Sequence, residues 1–442
     1  MRVNKALSFF KIKSENTLIA KHLVNDSREM KEDAIFIAID KCVEYLKELK
    51  IKPLVILSNV KVVGAYFIPN LKEQLGEFAK YFYHLKKNKP KIIGVMGTNG
   101  KTTVANILHE LLPSSMLVTT LKDVKDSFFD INTTPDAIRL ANYLKKTREL
   151  KKKYLILEIS SIGIAENRVK GFEISYILFL NLSKDHLDYH KTLKNYQDTK
   201  INYIKNSNAL IVANANDKFG LDLIKNNKAI PFKFSKDLII KKDLEKTIFL
   251  FDNKEITTNL LGEINAINVI AALTLLKVMK IKIDIKKLEK CKRVRGRMDV
   301  IHNNPNIVID YAHTSLAFLS VLKEIKSLTN GRLIVVFGAG GNRDKSKRKE
   351  YGDYALTYAD KIILTDDNPR EENELEIIKD IISEKNEKVE IIINRKEAIK
   401  KGIESLNKED TLLIVGKGHE EYQIIGKKYY KYSDYDEVRK WL

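Results

Sequence analysis

The sequence predicts an α/β protein built from three sheet-bearing regions, and three observations carry that prediction. Short apolar runs alternate with amphipathic helical stretches, polar residues close most of the runs, and the pattern breaks twice along the 442 residues. Residues 1–88 form a small unit with strands expected at 34–39 and 54–57, closed by a basic linker, Lys-Lys-Asn-Lys-Pro, at 86–90. Residues 89–296 open with a strand at 92–96 and continue through strands at 154–158, 174–181 and 209–213. Residues 297–442 alternate again, with strands at 307–310, 333–337, 361–364, 389–393 and 411–415. Helices between strands supply the crossovers that parallel pairing needs, so parallel sheets are expected throughout. Ligands collect at the carboxyl ends of such strands, which places Glu158 and Asn181 where chemistry is expected. No internal repeat and no low-complexity linker interrupts the pattern.

Composition narrows the class. A hydrophobic content of 44% is ample for packed cores. The first residues show no charged-then-apolar leader, since Lys11, Lys13 and Glu15 follow Phe9 and Phe10, and no apolar run approaches the roughly 18 residues needed to span a bilayer. A cytoplasmic protein without a membrane partner is expected. Cys42 and Cys291 lie far apart and lack metal-ligand spacing, which indicates neither a disulfide framework nor a zinc site. The formal charge of +20 (78 basic against 58 acidic residues) would favour any polyanion. Its lysines are scattered rather than gathered, and no nucleic-acid-binding motif accompanies them, so no nucleic-acid partner is expected.

The most informative stretch runs from Lys91 to Thr103, where an apolar strand enters a glycine turn ending in Lys-Thr-Thr. Gly97 and Gly100 let backbone N–H groups turn toward phosphate oxygens, Lys101 brings a point charge to the terminal phosphates, and Thr102 can offer its hydroxyl to magnesium. Thr98, Asn99 and Thr103 complete the candidate ATP loop. The Walker pattern needs a glycine five residues before Gly100, where this chain has Val95. The shortened form resembles the ATP loop of the Mur ligases and folylpolyglutamate synthetases; read alone, a Gly-x-x-Gly-Lys turn also fits an ordinary loop.

The resemblance to the Mur ligases continues through Leu157-Glu-Ile-Ser-Ser161, Arg168, the run Asn181-Leu-Ser-Lys-Asp-His-Leu-Asp-Tyr-His190, and Lys200. It implies that Glu158 and His186 help hold magnesium, with ATP phosphates completing the shell, because that ion prefers oxygen and keeps several waters. It further implies that Lys200 is carbamylated and binds a second magnesium, which requires a pKa depressed from ~10.4. Without the resemblance, Lys200 reads as a solvated surface lysine and His186 as a structural histidine. The segment Asn132-Thr-Thr-Pro-Asp136 resembles the family's grip on its nucleotide-linked peptide, implying substrate contacts at Thr133, Thr134, Ser160 and Arg168; by itself it reads as a turn with a helix N-cap, and both can hold. Two departures stand nearby, Ile162 in place of a usual His and Glu166 in place of a usual Gln. Asp26-Ser-Arg and the residues after it resemble the segment that binds the uridine diphosphate end, implying Ser27 and Arg28, although a charged surface turn reads the same way.

The resemblance assigns further ATP contacts to Asn268, at adenine, to Arg297, at the terminal phosphate, and to Asp310 and His313 near the nucleotide. Asp299 replaces a usual Glu and Ser315 a usual Pro. In the last region it assigns the incoming amino acid to Arg343, Asp367, Asn368, Pro369, Arg370, Gly416 and Glu420. The run Asp-Asn-Pro-Arg resembles the mark of ligases that add meso-diaminopimelate. An arginine fork can hold a distal carboxylate bidentately, and Glu420 suits a distal ammonium. As a whole, the resemblance implies a three-domain Mur ligase architecture with a central P-loop-type parallel sheet and a C-terminal Rossmann-like domain. Its parts would be a UDP-substrate-binding domain (1–88), a central ATP-binding domain (89–296) and an amino-acid-binding domain (297–442). The implied activity is an ATP- and Mg2+-dependent amide ligation in peptidoglycan synthesis by a monomer. It would join meso-diaminopimelate, or a close meso-diamino dicarboxylate such as lanthionine, to UDP-N-acetylmuramoyl-L-alanyl-D-glutamate through an acyl phosphate. Two other readings stay open: a folylpolyglutamate synthetase-like ligase, and a nucleotide-regulated basic binding protein.

Overall fold

The computed structural model describes residues 1–85, 89–122, 124–226 and 228–442, so residues 86–88 of the expected basic linker lie outside it. The described chain forms two compact units, each assembled from separate stretches. The first comprises Met1–Met96, Pro113–Leu178 and Asp198–Ile211; the second comprises Gly97–Leu112, Phe179–Gln197 and Val212–Leu442.

In the first unit, strands His22–Val24, Ala34–Ala38, Val55–Ser58 and Ala65–Phe67 pair in chain order as a parallel sheet. Every residue of Ala34–Ala38 is buried, and Phe36 and Val24 pack with Val43, Leu46 and Ile56. An uninterrupted apolar strand of this kind is what a sheet covered on both faces requires. The unit also holds strands in the order Ile174–Phe179, Lys91–Met96, Tyr154–Ile159, Ser115–Thr119 and Ser127–Phe129. Register Val95↔Glu158 sets the Glu158 carboxyl at the carboxyl end of its strand, as the sequence pattern predicts. Helix Ala137–Glu149 starts where Asp136 accepts the N–H groups of Ile138 and Arg139 at 2.9 and 3.0 Å, the N-cap expected from the Thr-Pro-Asp run.

The second unit is dominated by a six-stranded sheet. Its order is Asp299–His302, Asn306–Asp310, Thr411–Val415, Leu333–Phe337, Lys361–Leu364 and Val389–Ile391, parallel except for the first strand. Alternation along each strand divides the core. Val308, Val335, Phe337, Leu364 and Leu413 face helices Ser315–Leu328, Ser346–Tyr358 and Glu374–Ile381, while Ile309, Ile334, Val336, Ile363 and Ile414 face helices Arg395–Glu404 and Asp434–Arg439. Helices on both faces make this a doubly wound, Rossmann-like sheet.

Parallel pairing does not hold throughout. Strands Ile239–Lys242, Thr247–Phe251 and Lys254–Thr258 form an antiparallel sheet, Asp299–His302 runs antiparallel along an edge, and Tyr422–Ile425 pairs antiparallel with Lys428–Lys431. The cause is turn chemistry. Asp252 and Asn253 both adopt left-handed backbone (φ 49° and 59°), the geometry of a two-residue hairpin, and Gly426 (φ 58°) opens the other turn. Among the described residues no helix is long and apolar enough to cross a membrane.

A buried ion pair ties the two helices of one face to the strand ends. Arg395 and Asp434, both fully buried, meet through Nε–Oδ1 at 2.8 Å and Nη2–Oδ2 at 2.9 Å. Arg395 also donates to the carbonyls of Asp366 and Val415, and the Tyr432 hydroxyl donates to Asp434. Removing one partner leaves a buried charge uncompensated, so Asp434→Ala should destabilise the protein by about 3–5 kcal/mol, read as a lowered urea midpoint.

Candidate active site

The second unit carries the glycine turn. Gly100 has φ 85° and serves as the N-cap of helix Lys101–Leu111; a side chain there would place its Cβ 2.7 Å from Asn268 Oδ1. Asn181 shapes the turn from outside. Its Oδ1 accepts the N–H groups of Thr98 (3.2 Å) and Asn99 (2.9 Å), and its Nδ2 donates to the Asn99 carbonyl (3.1 Å). The Thr98 hydroxyl lies 2.8 Å from the Tyr196 hydroxyl and accepts the Ser183 N–H at 2.9 Å. Lys101 Nζ donates back to the carbonyls of Gly97 (3.1 Å) and Thr98 (2.8 Å), which holds the ammonium over the turn. The first turn of a helix presents N–H groups without intrahelical partners. With the lysine above and no Cβ at Gly100, this geometry can cradle a phosphate.

Asn268 and Arg297 stand beside the cradle. Asn268 donates to Asn265 Oδ1 at 3.1 Å within helix Gly262–Val278. Arg297 Nη2 lies 3.4 Å from Thr102 Oγ1, and its guanidinium stacks over the Tyr311 ring at 4.7 Å. Asp310 fixes the backbone that carries this arginine: its two carboxylate oxygens accept the N–H groups of Met298 (2.7 Å) and Ala312 (2.6 Å), and burial pushes its pKa up. His313 sits at the cavity beyond, its Nδ1 3.0 Å from the Tyr311 carbonyl.

A cavity of about 240 Å³ opens in the same unit at the carboxyl ends of the Rossmann-like strands. His186, Arg343, Asp367, Asn368, Arg370, Gly416 and Glu420 are among its lining residues, so His186 and six of the seven expected amino-acid contacts share one chamber. Arg370 adopts left-handed backbone (φ 54°) and donates from Nη1 to the carbonyls of Gly341 (2.9 Å) and Asn368 (3.3 Å). Pro369 is buried behind it. Gly416 has φ 116°, and a Cβ there would come within 2.6 Å of Asp367 Oδ2. Burial and the neighbouring Asp367 raise the pKa of Glu420, against the pull of Lys417 and Asn368. Arg343 is held by Asp188, Nη1 to Oδ2 at 2.8 Å. At the other wall His186, in left-handed backbone (φ 51°), places Nε2 3.3 Å from Asp185. Burial pulls Asp185 upward, yet His186, His313 and Lys347 hold its carboxyl well below the usual carboxylate range.

The first unit holds the remaining candidates. Thr134 is fully buried; its hydroxyl donates to the Glu158 carbonyl at 2.9 Å, accepts the Ser160 N–H at 2.9 Å and lies 3.0 Å from Ser160 Oγ. Ser160 in turn caps helix Ser161–Ala165. Arg168 donates to the Thr134 carbonyl at 2.8 Å and pairs with Glu166 at 2.6 Å, so the departure at 166 gives the arginine an anionic partner. Thr133 is half-buried one residue before Thr134. Ser27 opens a short 3-10 turn capped by Asp26, and Arg28 is exposed and bonded to Asp26 at 2.6 Å, which also satisfies the surface-turn reading. Glu158 and Lys200 are each only 2% exposed. The reading of Lys200 as a solvated surface lysine therefore fails: helix Leu193–Lys205 turns it inward.

Among the described residues no group of three His, Cys, Asp or Glu side chains is assembled that could hold a metal ion by itself. The Thr102 hydroxyl, beside Arg297 at the start of helix Lys101–Leu111, is an oxygen donor of the kind magnesium accepts when phosphate and water complete its shell.

Comparison with known proteins agrees with this geometry. Residues 95–276 match the Mur ligase middle domain, and residues 296–418 match the Mur ligase glutamate ligase domain. A UDP-N-acetylmuramoyl-L-alanyl-D-glutamate–2,6-diaminopimelate ligase from Aquifex aeolicus is 36% identical over 400 residues, 86% of this chain and 83% of that protein. This chain belongs to the Mur ligase family. A Mur ligase of the same description from Clostridium acetobutylicum is 33% identical, with 94% of this chain and 93% of that protein covered. A solved Mur ligase structure, again of a UDP-N-acetylmuramoyl-L-alanyl-D-glutamate–2,6-diaminopimelate ligase, matches with a TM-score of 0.65 at 28% identity. It covers 100% of this chain and 98% of that one.

The sequence pattern does not single out Tyr196, Asp185, Lys347 or Lys417, all of which the fold brings to this Mur ligase's site. Lys417 carried the one available signal, a lysine between two glycines directly after an apolar strand. At the cradle, Gly100→Ala combines left-handed strain with a clash against Asn268 and should weaken nucleotide binding about tenfold in an ADP titration.

Proposed function

We propose that this protein is an ATP-dependent amide ligase of peptidoglycan synthesis. It would join the amine of meso-diaminopimelate, or of a close meso-diamino dicarboxylate, to the D-glutamate carboxyl of UDP-N-acetylmuramoyl-L-alanyl-D-glutamate. The observation that carries the reading is the cavity in which Arg370, oriented by two carbonyls, lies with Asp367 and Glu420. A guanidinium and a carboxylate pair suit a molecule with a distal carboxylate and a distal ammonium. Relatives whose names state this reaction, aligned over most of the chain, support it.

In this mechanism the cradle at Gly97–Thr103 and Lys101 hold the ATP phosphates, Asn268 meets adenine, and Arg297 reaches the terminal phosphate from the backbone fixed by Asp310. Magnesium, when bound to Thr102, Glu158, His186 and a carbamylated Lys200, would neutralise charge on the transferred phosphoryl group. Thr133, Thr134, Ser160 and Arg168 grip the peptide precursor, and Ser27 and Arg28 its uridine diphosphate end. The precursor carboxylate attacks the γ-phosphorus and ADP leaves, giving an acyl phosphate. The diamino acid is held at its distal end by Arg370 and Glu420 beside Arg343; its other amine, as the free base, then attacks the acyl carbon, inorganic phosphate departs, and one proton is released. Positioning and charge stabilisation supply the rate. The working protein is proposed as a cytoplasmic monomer with domains 1–88, 89–296 and 297–442.

ADP release should require both UDP-N-acetylmuramoyl-L-alanyl-D-glutamate and meso-diaminopimelate. Release without either one would reject the ligase reading, and release with a folate acceptor would favour the folylpolyglutamate alternative. In the same assay Arg370→Ala should raise the KM for the diamino acid ~100-fold, the value of a charge-assisted bidentate contact, while the KM for ATP changes little. Equal rises in both would remove Arg370 from the amino-acid site. Lys200→Ala should be nearly inactive and partly restored by short-chain carboxylates, as expected if a carbamate is the acting group. An active variant would end that role.

A further inference from the structure

Lys417 is fully buried and stands behind Asp367, Asn368 and Glu420, which line the amino-acid cavity. Its Nζ donates to Asn368 Oδ1 at 3.0 Å and to Glu420 Oε2 at 3.3 Å, and lies 3.8 Å from Asp367 Oδ1. The rings of Tyr422 and Tyr432 flank it at 5.7 and 5.8 Å. Asn368, pinned on one side by this ammonium, donates from Nδ2 to Glu420 at 3.1 Å and accepts the Ile424 N–H at 2.8 Å. Its own carbonyl accepts from Arg370, and the Arg370 N–H donates to the Ile424 carbonyl at 3.1 Å. One buried cation therefore stands behind the residues proposed to hold both the distal carboxylate and the distal ammonium of the substrate.

We infer that Lys417 is a positioning residue that keeps the Glu420 carboxyl ionised and, through Asn368, sets the place of Arg370, so that the cavity presents a fixed negative group beside a fixed positive one to a zwitterionic amino-acid end. This rests on the amide-ligase reading above. Two carboxylates, Asp367 and Glu420, share the single Lys417 ammonium, which leaves one negative charge for the substrate ammonium to neutralise. Two carboxylates this close in a buried wall would otherwise compete, and one would take up a proton. The groups facing Glu420 are Asp367 and Asn368 from the loop after strand Lys361–Leu364, Lys417 from its own loop, Tyr311 from the end of strand Asn306–Asp310 and Tyr422 from the hairpin. Both phenols are neutral at physiological pH: burial and Glu420 push Tyr422 up to about 12 and Tyr311 higher still. Lys417 is thus the cation that directly opposes burial and Asp367 at Glu420.

The sign of the pH effect follows. Without the ammonium the Glu420 pKa rises further, so a larger share of the carboxyl is protonated at a given pH and it ionises only as pH increases. The test is steady-state ADP release by Lys417→Met and Lys417→Arg, with the KM for meso-diaminopimelate read as a ratio to wild type between pH 6.5 and 9, which cancels the titration of the substrate. For Lys417→Met the ratio should be about tenfold at pH 7 and fall toward unity by pH 9, with the KM for ATP within about twofold of wild type. Lys417→Arg keeps the charge and should give a ratio that is flat with pH. A Lys417→Met ratio near unity at pH 7, or one raised but independent of pH, overturns the inference and leaves the ligase reading standing. Should Lys417→Met not fold, Lys417→Arg decides: a flat ratio supports the role and a pH-dependent one overturns it. Wild-type protein that releases no ADP with both substrates would instead remove the ligase reading.

Discussion

The side chain of Asn368 is the interaction on which the cavity depends. An amide has one acceptor and two donor hydrogens, and here the acceptor takes the Lys417 ammonium and the Ile424 N–H while the donor nitrogen reaches Glu420. Three chain segments meet there: the loop after strand Lys361–Leu364, the loop after strand Thr411–Val415, and the hairpin that begins at Tyr422. The two loops have no regular pairing at that point, so a buried amide that bonds both of them to the hairpin is what fixes their relative position. Arg370, two residues on, takes its left-handed backbone from the same arrangement, since its N–H and carbonyl pair with Ile424 and Gly426 of the hairpin.

Beneath this network lies the Arg395–Asp434 pair, whose arginine donates onward to the carbonyls of Asp366, just past strand Lys361–Leu364, and Val415, at the end of strand Thr411–Val415. A chemically demanding cavity is thus carried by two buried polar layers, each with its hydrogen bonds made, above an apolar sheet. The phosphate cradle of the same unit uses the same device. Asn181 brackets Thr98 and Asn99 with its amide, and Tyr196 supports Thr98 from behind. In both places a short polar side chain converts a flexible glycine-rich turn into a preorganised one, which is what electrostatic catalysis requires.

Charge is distributed with the same economy. The excess of basic residues, scattered over the surface, says little about function, whereas a few buried charges decide the character of the site. Asp185 stays ionised because His186, His313 and Lys347 surround it. Glu420 is raised by burial and Asp367 and restrained by Lys417. Arg343 meets Asp188, drawn from the same ten-residue run that supplies His186. The motif Asn181 to His190 therefore serves both the phosphate cradle, through Asn181 and Ser183, and the cavity, through Asp185, His186 and Asp188.

Much of this was legible in the residues alone. Alternating apolar strands are a local, period-two signal, so the strands at 333–337, 361–364 and 411–415 match the sequence pattern residue for residue, and the glycine turn declares its phosphate chemistry through spacing. Family membership follows from the same motifs, because motif order survives where overall identity does not. Local pattern could not reveal burial of a polar group. Lys200 looks like any other lysine of a basic chain until helix Leu193–Lys205 turns it inward, and the two glycines beside Lys417 mark a turn without saying that its side chain is buried. Nor could it reveal the antiparallel hairpin at Asp252 and Asn253, whose left-handed pair carries no glycine to announce it. The sequence by itself determined the strands, the cradle and the family. Only the tertiary structure decided which charged side chains are desolvated and against which partners, because desolvation is a property of packing between segments distant along the chain.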